Sequence, residues 1–145
     1  MRKAVRAIVI KDNCLLVMHR NKFGHEYYTL VGGGIRFGES AEHALLREIH
    51  EETNLKVTDP RLVFVEEAGA PYGTQYIYLC EYQSGAVALH PLAMESIINK
   101  LGQNLHTPMW LPLKDLPDVP FRSENLKQAI LHAVKNTFPS EVQEV

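Results

Sequence analysis

Runs of β-branched and aliphatic residues alternate with short polar turns along most of this chain, a pattern that predicts a sheet-based domain. Val5–Ile10 and Cys14–Met18 are the first two runs, and the polar turn at Asp12 and Asn13 between them predicts a β-hairpin. The further strands predicted from this pattern are Tyr27–Val31, Leu62–Glu67, Gln75–Tyr82, Val87–Leu89 and Met109–Leu111.

Two segments have the spacing of helices instead. Ser40 can cap a helix over Ala41–Thr53, and Asn54 then suits a left-handed C-terminal cap. Ser123 can cap a last helix, because apolar residues recur at helical spacing from Leu126 onward.

Two segments are less regular. Residues His90–Pro108 allow either a short helix around Leu92–Lys100 or a long loop, and Glu141–Val145 is predicted to be a frayed tail. Since strands precede, separate and follow the central helix, the order of elements predicts an α/β layered domain around a mixed sheet.

Composition narrows the class of protein. A length of 145 residues with 46% apolar and 22% charged residues predicts one compact domain over residues 1–145. Fifteen basic residues against seventeen acidic ones give a net charge of −2, which argues against non-specific binding to nucleic acid or to an anionic membrane. Without an apolar run of about 20 residues, the chain is expected to be cytoplasmic. Cys14 and Cys80 are interpreted as small buried residues, with one disulfide as the alternative.

The central helix is the segment that carries candidate chemistry. On a helical wheel, Glu48, Glu51 and Glu52 share an arc of roughly 100° beside the apolar face of Leu45 and Ile49. Like charges four positions apart repel each other, and a position at the edge of the core adds a desolvation cost. A cation bound between them would offset both costs, and a set of oxygen ligands favours Mg²⁺ or Mn²⁺. The alternative is a solvated acidic face.

The residues around this helix strengthen the metal hypothesis. Arg47 lies one turn before Glu51 and can fix the direction of a carboxylate. The glycines that precede the helix, including Gly33 and Gly34, suit a backbone that must approach a ligand closely.

Residues 33–55 resemble the signature of the Nudix hydrolases, Gly-x5-Glu-x7-Arg-Glu-U-x-Glu-Glu-x-Gly-U, in which U is aliphatic. Eight of the nine specified positions match, and the departure is Asn54 in place of glycine. The matching positions in this chain are Gly33, Glu39, Arg47, Glu48, Ile49, Glu51, Glu52 and Leu55. The stretch around Trp110 and the strand before Gly34 also resemble the family.

The resemblance implies an α/β/α sandwich with a mixed β-sheet and a loop–helix–loop catalytic element. It also implies Mg²⁺-dependent (or Mn²⁺-dependent) hydrolysis of a pyrophosphate bond in a nucleoside diphosphate derivative. By the same analogy Glu48, Glu51 and Glu52 are expected to bind metal. Glu39 is expected to contact metal-bound water, and Arg47 to orient a carboxylate.

The general base and the substrate-binding residues are less constrained by the pattern. The base is either a glutamate of the helix, such as Glu48 or Glu51, or Glu95 outside the signature. The first 36 residues carry seven basic and two acidic residues. This surplus makes phosphate-binding candidates of Arg6, Arg20 and Arg36.

The expected partner is a small phosphorylated nucleotide, bound by a monomer or a homodimer. Several tyrosines, Tyr27 and Tyr72 among them, are candidates for stacking on a base or for the core. Of Glu66 and Glu67, alternation along the strand allows at most one to face the site. The competing hypothesis is a Nudix-fold module that binds a nucleotide without cleaving it, although such modules usually lose charged residues of the signature.

Overall fold

The computed structural model describes residues 2–88, 94–99 and 101–145. The strands are β1 (Lys3–Lys11), β2 (Cys14–Lys22), β3 (His25–Thr29), β4 (Val31–Gly34), β5 (Lys56–Glu67), β6 (Thr74–Ser84), β7 (Asn104–Pro112) and β8 (Gln143–Glu144). The helices are α1 (Ala41–Thr53), α2 (Met94–Asn99) and α3 (Glu124–Lys135), and a 3₁₀ turn covers Leu113–Asp118.

The strands of the described residues form one mixed sheet with the order β3-β2-β1-β6-β5-β8. Strand β1 is central, because its first half pairs with β4 and its last residues pair with β2. On its other side β1 runs parallel to β6, and β7 pairs antiparallel with β2. The predicted α/β fold with a mixed sheet is therefore confirmed.

Each face of the sheet is covered by a helix. Leu45 and Ile49 of α1 pack with Val5 and Val9 of β1 on one face. Leu126 and Ile130 of α3 pack on the opposite face, with Ile8 of β1 and Phe64 of β5. Because successive residues of a strand point to opposite faces, the alternation along β1 supplies both cores. The layers are thus α/β/α, as the resemblance implied.

The local signals of the sequence are confirmed at the hairpin and at the helix ends. Asp12 and Asn13 have positive φ of 51° and 59°, as a tight turn between twisted strands requires. The Ser40 and Ser123 hydroxyls accept hydrogen bonds from the third residue beyond them, and Asn54 is left-handed with φ 64°. Asparagine thus fills the position at which the family signature has glycine.

Other predictions need correction. Residues 141–145 are not a frayed tail, since β8 pairs with Phe64 and Val65 of β5 and Val145 donates a hydrogen bond to the Val65 carbonyl. This short strand covers the backbone groups along the outer edge of β5.

The strand predicted at Val87–Leu89 is also wrong for the part that the structure describes. Val87 and Ala88 are not in a strand, and Leu89 lies outside the described residues. The Ala88 N–H instead donates to the Thr53 carbonyl at the end of α1, over 2.9 Å. The short helix considered around Leu92–Lys100 is present as α2, while residues 92, 93 and 100 lie outside the description.

Both cysteines are free, which excludes the disulfide alternative. Burial raises the pKa of Cys80 to about 12. No helix in the described part of the chain is long and apolar enough to cross a membrane.

The face covered by α3 gives a first test of the fold. Ile130 is 0% exposed whereas Val134, one turn later, is 39% exposed. We expect Ile130→Ala to lower the free energy of unfolding by about 2–5 kcal/mol, because it leaves a cavity in the core. The matched substitution Val134→Ala should lower the free energy of unfolding by well under half as much. Urea unfolding followed by circular dichroism measures both, and equal losses would contradict the assignment of this face.

Candidate functional site

Three carboxylates converge beside the glycine-rich strand β4. One carboxylate oxygen from each of Glu48, Glu52 and Glu95 lies within 4.8 Å of the other two. Glu48 and Glu52 are one turn apart on α1, whereas Glu95 is in the first turn of α2. We call these three residues the acidic cluster.

Glu52 is the buried member of the acidic cluster, with only 4% of its surface exposed. The Gly32 N–H donates to its Oε2 over 3.2 Å. Burial, followed by the neighbouring charges of Glu95 and Glu48, raises the pKa of Glu52 well above its usual value. Among the described residues Glu52 forms no salt bridge, so its charge has no partner that balances it directly.

This donor set fits a hard divalent cation. The ligand atoms are carboxylate oxygens, and Mg²⁺ and Mn²⁺ prefer oxygen. A cation at this place would remove the mutual repulsion of the three carboxylates, which is otherwise unfavourable in a desolvated position.

The glycine at position 33 is explained by the same cluster. A Cβ atom on Gly33 would lie 2.6 Å from the Glu48 carboxyl group, closer than real side-chain contacts allow. At Gly34 a Cβ would meet nothing nearer than 3.9 Å. Of the two predicted glycines, Gly33 is therefore the one whose missing side chain makes room for the cluster.

Arg47 links the acidic cluster to Glu39 through hydrogen bonds. Its Nε and Nη2 donate to both oxygens of Glu39, over 2.7 and 2.9 Å. Its Nη1 donates to Glu48 over 3.0 Å and Nη2 donates to the Gly34 carbonyl over 3.3 Å. The guanidinium thus contacts one carboxylate of the acidic cluster directly.

The structure does not bring Glu39 or Glu51 into the acidic cluster of the described residues. Both oxygens of Glu39 are engaged by Arg47, and this hydrogen bonding lowers the pKa of Glu39 to about 2. Glu51 is 36% exposed, and its Oε2 lies 3.5 Å from the Nη1 of Arg47. Glu95, the candidate outside the signature, lies in the cluster instead.

A cleft opens next to the acidic cluster, and Arg6 connects the two. Arg6 is paired across β1 and β4 with Gly32, the residue that donates to Glu52. Its Nε donates to Gln75 over 3.0 Å and its Nη1 to the Leu30 carbonyl over 3.4 Å. Burial lowers the pKa of Arg6, and the nearby Glu52 acts against that shift.

The cleft encloses a volume of about 80 Å³. It is lined by Arg6, Arg20, Tyr27, Thr29, Leu30, Glu66, Ala68, Tyr72, Gln75, Arg122 and Leu126.

Two of the three predicted arginines, Arg6 and Arg20, line the cleft. Arg36 does not, because it lies on the exposed loop before α1, where its backbone N–H donates to Glu39. Sequence reasoning missed Arg122 and Gln75. The pairing of β6 with both β1 and β5 brings Gln75 beside Arg6, and no local motif signals such a contact.

The remaining candidates divide between cleft and core. Glu66 is buried and accepts a hydrogen bond from the Ser123 hydroxyl, whereas Glu67 is exposed. Only one of the two therefore faces the cleft, as alternation required. Tyr27 and Tyr72 line it, while Tyr78 belongs to the core beneath α1.

The Glu39–Arg47 pair predicts a pH dependence of stability. Because the folded-state pKa of Glu39 is lowered from 4.5 to about 2, its contribution is present above pH 4.5 and is lost as the pH falls towards 2. We expect Glu39→Gln to unfold at a lower temperature than the parent at pH 7, with the difference shrinking below pH 4.5. Thermal unfolding from pH 7 to pH 3 measures it, and a difference that grows on acidification would contradict the pairing.

Comparison with known proteins agrees with this geometry. The family model described as the NUDIX domain matches residues 1–132. A curated relative is the NAD-capped RNA hydrolase NudC of Photorhabdus laumondii, 29% identical over 109 residues, which are 75% of this chain and 38% of that protein. The chain thus spans about two fifths of the length of the curated relatives that it matches.

Solved structures share the fold. An ADP-ribose pyrophosphatase from Streptococcus suis superposes with a TM-score of 0.69 at 16% identity, covering 99% of this chain and 98% of that one. A NUDIX hydrolase from Nitrosomonas europaea gives 0.71 at 15% identity, covering 99% and 78%. With a family model that spans most of the chain and the signature residues assembled around one site, the chain belongs to the Nudix hydrolase family.

Proposed function

We propose that this protein hydrolyses a pyrophosphate bond in a nucleoside diphosphate derivative, with Mg²⁺ or Mn²⁺ held by Glu48, Glu52 and Glu95. The observation that carries the proposal is the convergence of these three carboxylates, one of them buried, near Arg6, which also lines the cleft. Carboxylates placed so closely, with no basic partner for Glu52 among the described residues, are suited to a cation and, through it, to an anionic substrate.

The bound cation would supply charge stabilisation for the phosphates and a lowered pKa for the attacking water. Glu48 and Glu52 would hold it from α1. Glu95 approaches from the separate helix α2, and we assign one of its carboxylate oxygens to the cation and the other to accepting the proton of the attacking water. The water oxygen bonds to one phosphorus, the bridging P–O bond breaks, and the other phosphate leaves with the bridging oxygen.

The remaining residues position these groups. Arg47 holds Glu48 through Nη1 and is itself held by Glu39, so the ligand carboxylate is pre-oriented before a substrate arrives. Arg6 lies between cluster and cleft and is assigned to the phosphate oxygens.

The substrate class is supported by the site and by the relatives. Three arginines line the cleft against one carboxylate, which suits an anionic ligand. The relatives named NAD-capped RNA hydrolases act, by that name, on a dinucleotide cap. We therefore place dinucleotides with an internal diphosphate, such as NADH, first among the candidate substrates, ahead of nucleotide sugars.

The first test removes the charge of the buried carboxylate. We expect Glu52→Gln to lower kcat/KM for NADH with Mg²⁺ by about 100-fold or more. Even substitution of residues that only hydrogen-bond to a metal ligand commonly lowers metal affinity or activity about 10–100-fold. Mg²⁺ should raise the melting temperature of the parent protein and should do so far less in the variant.

Glu51→Gln is the matched control, because Glu51 is on the same helix but outside the acidic cluster. It should retain most of the Mg²⁺-induced stabilisation. If Glu51→Gln lost that stabilisation and Glu52→Gln kept it, the assignment of the ligands would be wrong. Stabilisation by Mg²⁺ without turnover of NADH, ADP-ribose, nucleotide sugars or nucleoside triphosphates would favour the binding module over the hydrolase.

The second test uses the glycines. Gly33→Ala places a methyl group against the Glu48 carboxylate and should weaken Mg²⁺ binding about tenfold or more. Gly34→Ala, which meets nothing within 3.9 Å, should keep most of the affinity. Isothermal titration with Mg²⁺ measures both, and equal affinities would show that Glu48 does not bind the ion.

A further inference from the structure

Three arginines line the cleft, and only one of them lies next to the acidic cluster. Arg6, Arg20 and Arg122 line it, and Glu66 is the one carboxylate among its lining residues. Among the ion pairs of the described residues, none includes any of these three arginines. Arg6 lies next to the acidic cluster and serves the scissile phosphates in the function proposed above, which leaves Arg20 and Arg122 without an anionic partner.

Arg20 is incompletely satisfied in the wall of the cleft. Its Nη2 donates to the Asn104 side chain over 2.8 Å, but its Nε is buried and has no hydrogen-bond partner among the residues that the structure describes. Unpaired buried donors are rare because each one costs free energy, so they call for a structural or functional explanation. An anionic ligand in the cleft would give this guanidinium the acceptor that it lacks.

Arg122 is held in place by stacking instead of by an ion pair. Its Cζ lies 3.4 Å from the centroid of the Tyr72 ring. A guanidinium stacked in this way keeps its N–H donors free at its edge, where they match the geometry of a phosphate. Arg20 similarly lies over Tyr27, with its Cζ 5.5 Å from the ring centroid.

The same stacking argues against a nucleobase as the ligand at this end of the cleft. Tyr27 and Tyr72 are the aromatic side chains that line it, and a nucleobase would bind by stacking on such rings. The Tyr72 face near Arg122 is already covered by the guanidinium. An adjoining depression shares Tyr27, Tyr72 and Arg122 with the cleft and adds Lys22 and His25, so basic groups continue beyond it.

We propose that Arg20 and Arg122 bind a second phosphate of the substrate, one that lies outside the scissile diphosphate. The inference rests on the proposed function, because that function places the diphosphate at the acidic cluster. Such a phosphate is either a monoester on the ribose of a nucleotide or the first phosphodiester of an attached RNA strand. Both present the same anionic oxygens to the two guanidinium groups.

The test is a binding experiment that does not depend on hydrolysis. The probes, titrated calorimetrically without divalent metal, are AMP, adenosine 2′,5′-bisphosphate, adenosine 3′,5′-bisphosphate and the dinucleotide pApA. We expect at least one probe with the additional phosphate to bind about tenfold tighter than AMP, as a charge-assisted hydrogen bond would provide. Preference for a bisphosphate identifies a monoester as the source, and preference for pApA identifies a phosphodiester. Equal binding of all four probes would overturn the proposal.

Variants connect this preference to the two arginines. Arg122→Gln and Arg20→Gln should each reduce the preference over AMP about tenfold, and Arg122→Lys should restore part of it. Arg61→Gln is the matched control, because Arg61 is exposed on β5 and outside the cleft. A preference that survives in both glutamine variants of the cleft would show that the additional phosphate binds elsewhere.

A parallel kinetic measurement separates the two proposals. NADPH differs from NADH by one ribose 2′-phosphate, so the ratio of their kcat/KM values with Mg²⁺ reports recognition of a monoester during turnover. If neither compound nor any other diphosphate is hydrolysed while the binding preference remains, the proposed function fails, and Arg20 and Arg122 are left as a phosphate-binding site of a protein without this activity. If turnover occurs but all four probes bind equally, the proposed function stands and this inference fails.

Discussion

The burial of the Glu52 carboxylate beside two other carboxylates is the constraint around which the site is arranged. A charged group that is 4% exposed and has no basic partner among the described residues is unfavourable unless its surroundings compensate. The Gly32 N–H provides one hydrogen bond, and Arg6 contributes an opposing charge from the neighbouring strand. Neither removes the repulsion from Glu48 and Glu95, which is why these carboxylates suit a bound cation.

The architecture that holds this arrangement is the mixed sheet with helices on both faces. Strand β1 pairs with β4 on one side and with β6 on the other, so Arg6 is placed between Gly32 and Gln75. Helix α1 is fixed to the sheet by its buried apolar residues, and this contact directs Glu52 inward. The acidic cluster and the cleft are therefore connected through Arg6 on β1.

The Glu39–Arg47 pair shows that the charged residues of the signature have different roles. Its charged residues do not all point to one place: Glu48 and Glu52 enter the cluster, while Glu39 engages the guanidinium that holds Glu48. The two oxygens of the Glu39 carboxylate both accept hydrogen bonds from Arg47, so Glu39 is a positioning group. Its lowered pKa reflects that role.

The sequence by itself determined what depends on neighbours along the chain. The hairpin at Asp12, the caps at Ser40 and Asn54 and the acidic face of α1 follow from turn chemistry and helical period, and all are present. Only the tertiary structure decided which distant groups meet. Glu95 reaches Glu52, Arg122 and Gln75 reach the cleft, and β8 reaches β5 through contacts between segments far apart in the chain. Such contacts arise from the packing of whole elements against the sheet, and no periodicity within a single segment encodes them.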